Sequence, residues 1–323
     1  MNENRSHFTL CGKSPVLQLL IALMSVMIIG GAIFLVFFLA GLLISGIDLS
    51  SVSENILADI GEKDINFFRY LMIVQSITIL MIPAIMVRHM LLPHNQKNLN
   101  DFGLPSANEI AIVVLLAFCI LPINGIAGEL NSVMKFPDWL SGLEEWMRLK
   151  EDEAAELSRL LVPSESTGVL FLNLFIIAVL PAISEELFFR GVLQRIFHGF
   201  FKSPHSAIWI TAVLFSAVHF QFYGFVPRLI LGLAFGYLYY WGRTLWLPVI
   251  AHFVNNATAV LAEYFQGIET TSSVADMENW TKFLIVPAPT IIGIVILLYF
   301  RNKFKQRQIG SKKLTSGDNQ TNS

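Results

Sequence analysis

Charge is what this sequence has least of. Asp, Glu, Lys and Arg make up only 14% of 323 residues, while 54% are hydrophobic. Soluble domains carry roughly 25% charged residues, so an ordinary soluble fold is excluded. A surplus of one sign is missing too, because 22 basic and 24 acidic side chains leave a net charge of −2. No global basic field exists to hold phosphates, and nucleic acid is excluded as a partner. Cysteine is nearly absent: Cys11 and Cys119 lie far apart, beside or inside apolar stretches, which excludes a disulfide framework and a cysteine metal cage. Three hydrolase signatures are also missing, namely H-E-x-x-H, G-x-S-G and paired aspartates in apolar segments.

What is present is a series of long apolar runs. No formal charge falls between Lys13 and Asp48, nor in Tyr70 to Val87, Ile110 to Gly128 or Ser166 to Ser184. About 20 apolar residues in a helix cross the roughly 30 Å of bilayer hydrocarbon. Further runs from Ser206 to Phe220, Phe225 to Trp241, Thr244 to Ala262 and Phe283 to Phe300 continue the pattern. The expected fold is an all-α, polytopic membrane bundle of about eight transmembrane helices. The fifth and sixth are separated by only the short connection Gln221 to Gly224. The first run is too long for a removable signal peptide and lacks a small-residue cleavage pattern.

Lys and Arg are retained on the cytoplasmic side of short loops. With an even number of spans, cytoplasmic N- and C-termini place most basic residues inside, including Arg88, Arg195, Lys202, Arg243 and Arg301. The outer loops are then acidic, and Leu143 to Leu161 reads as an amphipathic extramembrane helix. The expected organisation is one membrane-embedded domain over 1–309, with a polar and disordered cytoplasmic tail over 310–323.

Ionisable groups inside spanning helices are expensive and mark function by default. Three clusters qualify: Glu185, Glu186 and Arg190 after Pro181; Phe215 with His219; and His252 with Asn256. Residues four apart share a helix face, whereas neighbours diverge by about 100°. Glu186 and Arg190 are therefore the natural ion pair, leaving Glu185 free to act as a general base. Burial raises its pKa and a nearby cation lowers it, and sequence leaves that balance open. One carboxylate, two imidazoles and an amide can activate a water and hold an oxyanion without a nucleophilic side chain. The same Glu185, His219 and His252 could instead bind zinc with an open position for water. Polar groups and a hydrolytic water cannot sit against lipid, so a water-filled intramembrane cavity is expected around Glu185. If its helix ended near Glu185, that residue would lie at the cytoplasmic face, far from the depth of His219. The two levels approach each other only if the helix continues to Arg195 or His198, with a kink at Pro181.

E-E-x-x-x-R, F-x-x-x-H and H-x-x-x-N, in this order on three late helices, resemble the CPBP or Abi family. That family includes type II CAAX prenyl endopeptidases and bacterial proteins linked to bacteriocin processing or self-immunity. The resemblance covers about Phe171 to Ala262, within a core of about 166–264, with all motif positions filled. It implies that Glu185 activates water with help from His219, and that Glu186 and Arg190 hold the site's geometry. His252 and Asn256 would orient the scissile carbonyl or stabilise its oxyanion, while Asn255 falls outside the pattern. Members are commonly described as metalloproteases, and water activation by Glu and His without metal is equally compatible with these residues.

The leading expectation is an intramembrane endopeptidase acting on a peptide or membrane-protein substrate in or beside the lipid of a bacterial plasma (inner) membrane. One alternative is a non-catalytic immunity or scaffold protein that binds a peptide or partner at the same cluster. Another is a proton-coupled transporter, against which stands the lack of a repeated half.

Overall fold

The computed structural model describes residues 10–46, 62–91, 103–162, 166–266 and 287–317, with side chains described for 65–91 and 287–306 of the second and last segments and to residue 265 of the fourth. The described residues are helical, with no strand among them. Among the described residues, four helices are long and apolar enough to cross a bilayer: α1 (Pro15–Ser45), α2 (Ile65–Leu91), α3 (Ala107–Ser132) and α5 (Thr167–Phe201). The chain between them includes the amphipathic helix α4 (Ser141–Leu161), and beyond them lie α6 (Pro204–Ala217), α7 (Phe225–Gly242), α8 (Trp246–Gln266) and α9 (Pro287–Gly317). Each apolar run noted in the sequence thus falls largely in a helix, so far as it is described. This is an integral membrane helix bundle.

Local chemistry sets the boundaries. Ser106 and Glu109 form a reciprocal capping box at the start of α3, which satisfies two otherwise orphaned N–H groups. Between α5 and α6 the reversal is compressed into two residues. Lys202 takes a left-handed conformation (φ 55°), Ser203 caps the next helix, and Pro204 occupies its first turn, where a missing N–H costs nothing. In the polar tail, α9 continues through Gly310 to Gly317. The rest of that tail, 318–323, lies outside the described residues.

The long extension of α5 places the motif residues. Glu185 and His219 each lie 17 residues from Lys202 along the chain. At 1.5 Å per residue both stand about 25 Å from that turn, one on each arm of an antiparallel pair. The difference of depth foreseen for a shorter helix does not arise. Helix α6 has only 14 residues, about 21 Å, and stops short of a full crossing.

The turn that follows α6 and carries His219 needs partners for its irregular backbone, and α3 supplies them. Asn131 donates to the Phe222 carbonyl at 3.0 Å and accepts from the Val226 N–H at 2.9 Å. Ser216 Oγ donates to the Phe225 carbonyl at 2.6 Å. Helix α4 lies over this turn, with the Arg148 guanidinium 4.5 Å from the Tyr223 ring centroid. Its Glu144 accepts from the Phe136 N–H and from Arg148, which holds the carboxyl below its usual range. At its other end the Leu161 carbonyl receives both Arg69 and Asn173, from α2 and α5.

Helices α6 and α7 meet through glycine. A Cβ on Gly232 would stand 3.1 Å from the Cα of Ala212, and one on Gly236 would stand 2.8 Å from a methyl of Ile208. These glycines are four residues apart and form a smooth strip, which lets two backbones approach as small-residue faces do in membranes. The approach also exposes their carbonyls to α5, with consequences for the site.

Candidate active site

Glu186 and Arg190 are both fully buried and paired at 2.7 Å, Arg190 Nη1 donating to Glu186 Oε1. Arg190 Nη2 donates to the Gly232 carbonyl at 3.0 Å. The guanidinium lies between two rings, 4.8 Å from the centroid of Phe215 and 5.4 Å from that of Phe235. Planar stacking and forked donation suit arginine and would not suit lysine. The pair is thus fixed in three directions by α5, α6 and α7.

His252 joins it from α8. Its Nδ1 lies 2.9 Å from Glu186 Oε1, and its ring stacks on Phe235 at 5.2 Å with an interplanar angle of 22°. A carboxylate at this distance selects the Nδ1–H tautomer. The lone pair of Nε2 then faces Glu185 Oε2, 3.8 Å away. That separation is too long for a direct hydrogen bond. Two acceptors so placed suit the two hydrogens of a bridging water.

Glu185 differs from its neighbour as helix geometry requires. Its side chain keeps 17% of its accessibility, against none for Glu186. His219 donates from Nδ1 to the Phe215 carbonyl, 2.7 Å away, and lies within electrostatic range of Glu185 and His252. The Phe215 ring meets both imidazoles edge to face, at 5.2 and 5.8 Å.

Asn256 is held on two sides. Its Nδ2 donates to the Ile177 carbonyl of α5 at 3.1 Å, and its Oδ1 accepts from Asn255 at 3.2 Å. Ile177 lies in the π-helical stretch Leu174–Val179, just before Pro181, whose ring nitrogen has no hydrogen to give to the helical ladder. Asn256 supports that stretch, and its second amide N–H is left over.

The structure therefore gathers Glu185, Glu186, Arg190, Phe215, His252 and, at the margin, His219, with Asn256 tied to the same helix. Sequence reasoning left out Asn255, the Gly232 carbonyl, Phe235 and Arg228. Arg228 lies within electrostatic range of Glu185 and donates to Gln221, two residues beyond His219. The available signals were a lone arginine in an apolar run and the Gly232-x-x-x-Gly236 spacing. As for zinc, the donors offer suitable chemistry, since Nδ1 of each histidine is engaged and Nε2 is not. Their spacing does not fit, because among the described residues no three His, Cys, Asp or Glu form a group that could hold a metal ion.

Residues 167–258 match the family model of the Rce1-like type II CAAX prenyl endopeptidases. This segment is Rce1-like. It runs from the first residue of α5 into α8 and contains every residue named in the site, in agreement with the CPBP resemblance of the three motifs. The chain is also similar to the uncharacterized protein YpbD of Bacillus subtilis (strain 168), at 31% identity over 114 residues. That alignment covers 34% of this chain and 56% of YpbD, so the chain spans little more than half the length of this relative. No solved structure matches. The Rce1-like segment accounts for the site, while α1 to α3 and α9 surround it.

Proposed function

We propose that the protein is a CAAX-protease-like intramembrane endopeptidase that hydrolyses a peptide bond with a water activated by Glu185. The observation that carries this reading is the Glu185–His252–Glu186–Arg190 array, built from two helices of the Rce1-like segment and steadied by two more. Glu186 and Arg190 neutralise one another and orient His252. Glu185, adjacent but on another face, keeps 17% of its side-chain accessibility and with it access to water. It takes a proton from that water, whose oxygen attacks the scissile carbonyl carbon. The remaining N–H of Asn256 donates to the resulting oxyanion. His219 assists the water, and the proton passes to the leaving amine as the carbon–nitrogen bond breaks. In this reading the water is activated by Glu185 and His219 without a metal.

The protein would act as a multi-pass protein of a bacterial plasma membrane, with both termini cytoplasmic and a membrane-tethered peptide as substrate. The basic residues at the end of the bundle that carries Lys202, Arg243 and Arg301 support that orientation. Purified protein should cut a lipid-anchored peptide, and His219→Ala and Glu185→Ala should abolish cutting. Equal cutting by either variant would overturn the mechanism.

A further inference from the structure

Helix α4 runs across the end of the bundle opposite Lys202 rather than through it. Near its start Glu144 accepts from the Phe136 N–H, just beyond the end of α3. Its last carbonyl, on Leu161, receives Arg69 of α2 and Asn173 of α5. Asn173 lies six residues past Thr167, the first residue of α5, which is about 9 Å along that helix. The C-terminal end of α4 is therefore sunk to the level at which α5 turns Phe171 and Phe175 outward, both exposed. On a spanning helix such side chains face hydrocarbon.

The apolar face of α4 is covered along only half its length. Leu157 and Leu161 belong to an apolar cluster with Phe68 of α2, Leu170 of α5 and Val260 of α8. Trp146 stands 11 residues before Leu157, and Leu143 stands 18 before Leu161. These steps are three and five whole turns, so all four share one face. Yet Leu143 and Trp146 are 40% and 47% exposed, and Trp139, in the single turn before the helix, is 80% exposed. The two charges on this face, Lys150 and Glu153, are paired with each other at 2.7 Å. Glu145 and Asp152 lie exposed on the opposite side.

We propose that the N-terminal half of α4 is an interfacial helix, with Trp139, Leu143 and Trp146 inserted into the lipid on that side of the bilayer. The stripe continues a surface that already faces lipid, since Leu130 in the last turn of α3 and Val133 just after it are both exposed. Amphipathic helices of this kind lie in the membrane surface with the apolar face buried and the charged face in water. Indole rings favour that boundary, where the ring is apolar and its N–H meets the headgroups. The same helix covers the turn that carries His219, through Arg148 on Tyr223, so its seat in the lipid holds the cover of the site in place. This seating does not depend on whether the protein cuts peptides.

The full-length protein carrying Cys11→Ser is spin-labelled at one introduced cysteine, Leu143→Cys, Trp146→Cys, Glu145→Cys or Asp152→Cys, and placed in phosphatidylcholine nanodiscs. Cys119 is buried and stays. Thermal unfolding identifies the folded variants, and power-saturation EPR measures collisions with oxygen, which concentrates in lipid, and with a water-soluble nickel chelate. Labels on Leu143→Cys and Trp146→Cys should meet oxygen in excess, at a depth of about 5–10 Å, while those on Glu145→Cys and Asp152→Cys should meet nickel in excess. Without any label, brominated phosphatidylcholine should quench the tryptophan fluorescence of the wild type more than that of a Trp139→Tyr, Trp146→Tyr double variant. Equal nickel access at all four positions would put the whole helix in water, and protection of the stripe from both reagents would put protein over it. Either result, or equal quenching of the two proteins, would overturn the proposal.

Discussion

Asn256 donates its side-chain amide to the Ile177 carbonyl, 3.1 Å away, in the π-helical stretch Leu174–Val179 that precedes Pro181, a residue with no N–H to give to the helical ladder. A polar side chain in the third motif therefore supports the backbone beside the first motif's proline. The link couples α8 to α5 about two turns before Glu185 and Glu186.

This relationship predicts a specific coupling. Asn256→Ala should destabilise the protein by about 1–3 kcal/mol, the penalty for an orphaned buried carbonyl. Pro181→Ala returns an N–H to the ladder beside that carbonyl, so in its background Asn256→Ala should cost markedly less. A double-mutant cycle on thermal unfolding in detergent measures the difference. Additive effects would show that the two residues are independent.

The buried pair predicts an asymmetry between neighbours. Arg190→Met leaves Glu186 uncompensated at zero exposure and should cost about 3–5 kcal/mol. Arg190→Lys should recover little of this, because an ammonium cannot reach both Glu186 and the Gly232 carbonyl while stacking on Phe215. Unfolding of the two variants against wild type checks it. Full rescue by lysine would mean that charge alone matters there.

Much of this was legible in the sequence, because hydrocarbon imposes harsh rules. Runs without charge had to be helices, and Glu185, His219 and His252 stood out because each breaks such a run. The four-residue spacing of Glu186 and Arg190 named their pairing, and the level of His219 required α5 to pass well beyond Glu185, as it does to Phe201. What stayed hidden depends on which helices touch. The Gly232 carbonyl reaches Arg190 only because α6 packs tightly on α7, and Asn255 enters through a bond to its own neighbour.

Packing at the glycine strip gives a further expectation. Gly232→Ala would set a methyl 3.1 Å from the Ala212 Cα, where backbone must give way. The variant should lose about 1–3 kcal/mol through overpacking and shift the carbonyl that holds Arg190. Unfolding midpoints decide this. A variant as stable as wild type would show that α6 can move aside freely.

The dispersed donors predict how chelators behave. Cleavage by purified protein should survive exhaustive treatment with EDTA or phenanthroline, and elemental analysis should find no stoichiometric zinc. Loss of activity on chelation, restored by added zinc, would show that Glu185, His219 and His252 close around an ion in the working state.

The most direct measurement is the cleavage rate of a lipid-anchored fluorogenic peptide in proteoliposomes carrying wild type or Glu185→Gln. The two proteins are first matched for thermal unfolding. Glutamine keeps the size and polarity of a side chain that is partly exposed and outside the buried pair, so stability should be unchanged. Removing the base should lower the rate by about 10²–10⁴-fold. A folded Glu185→Gln protein that cuts at the wild-type rate would contradict the assignment of Glu185 as the residue that activates water.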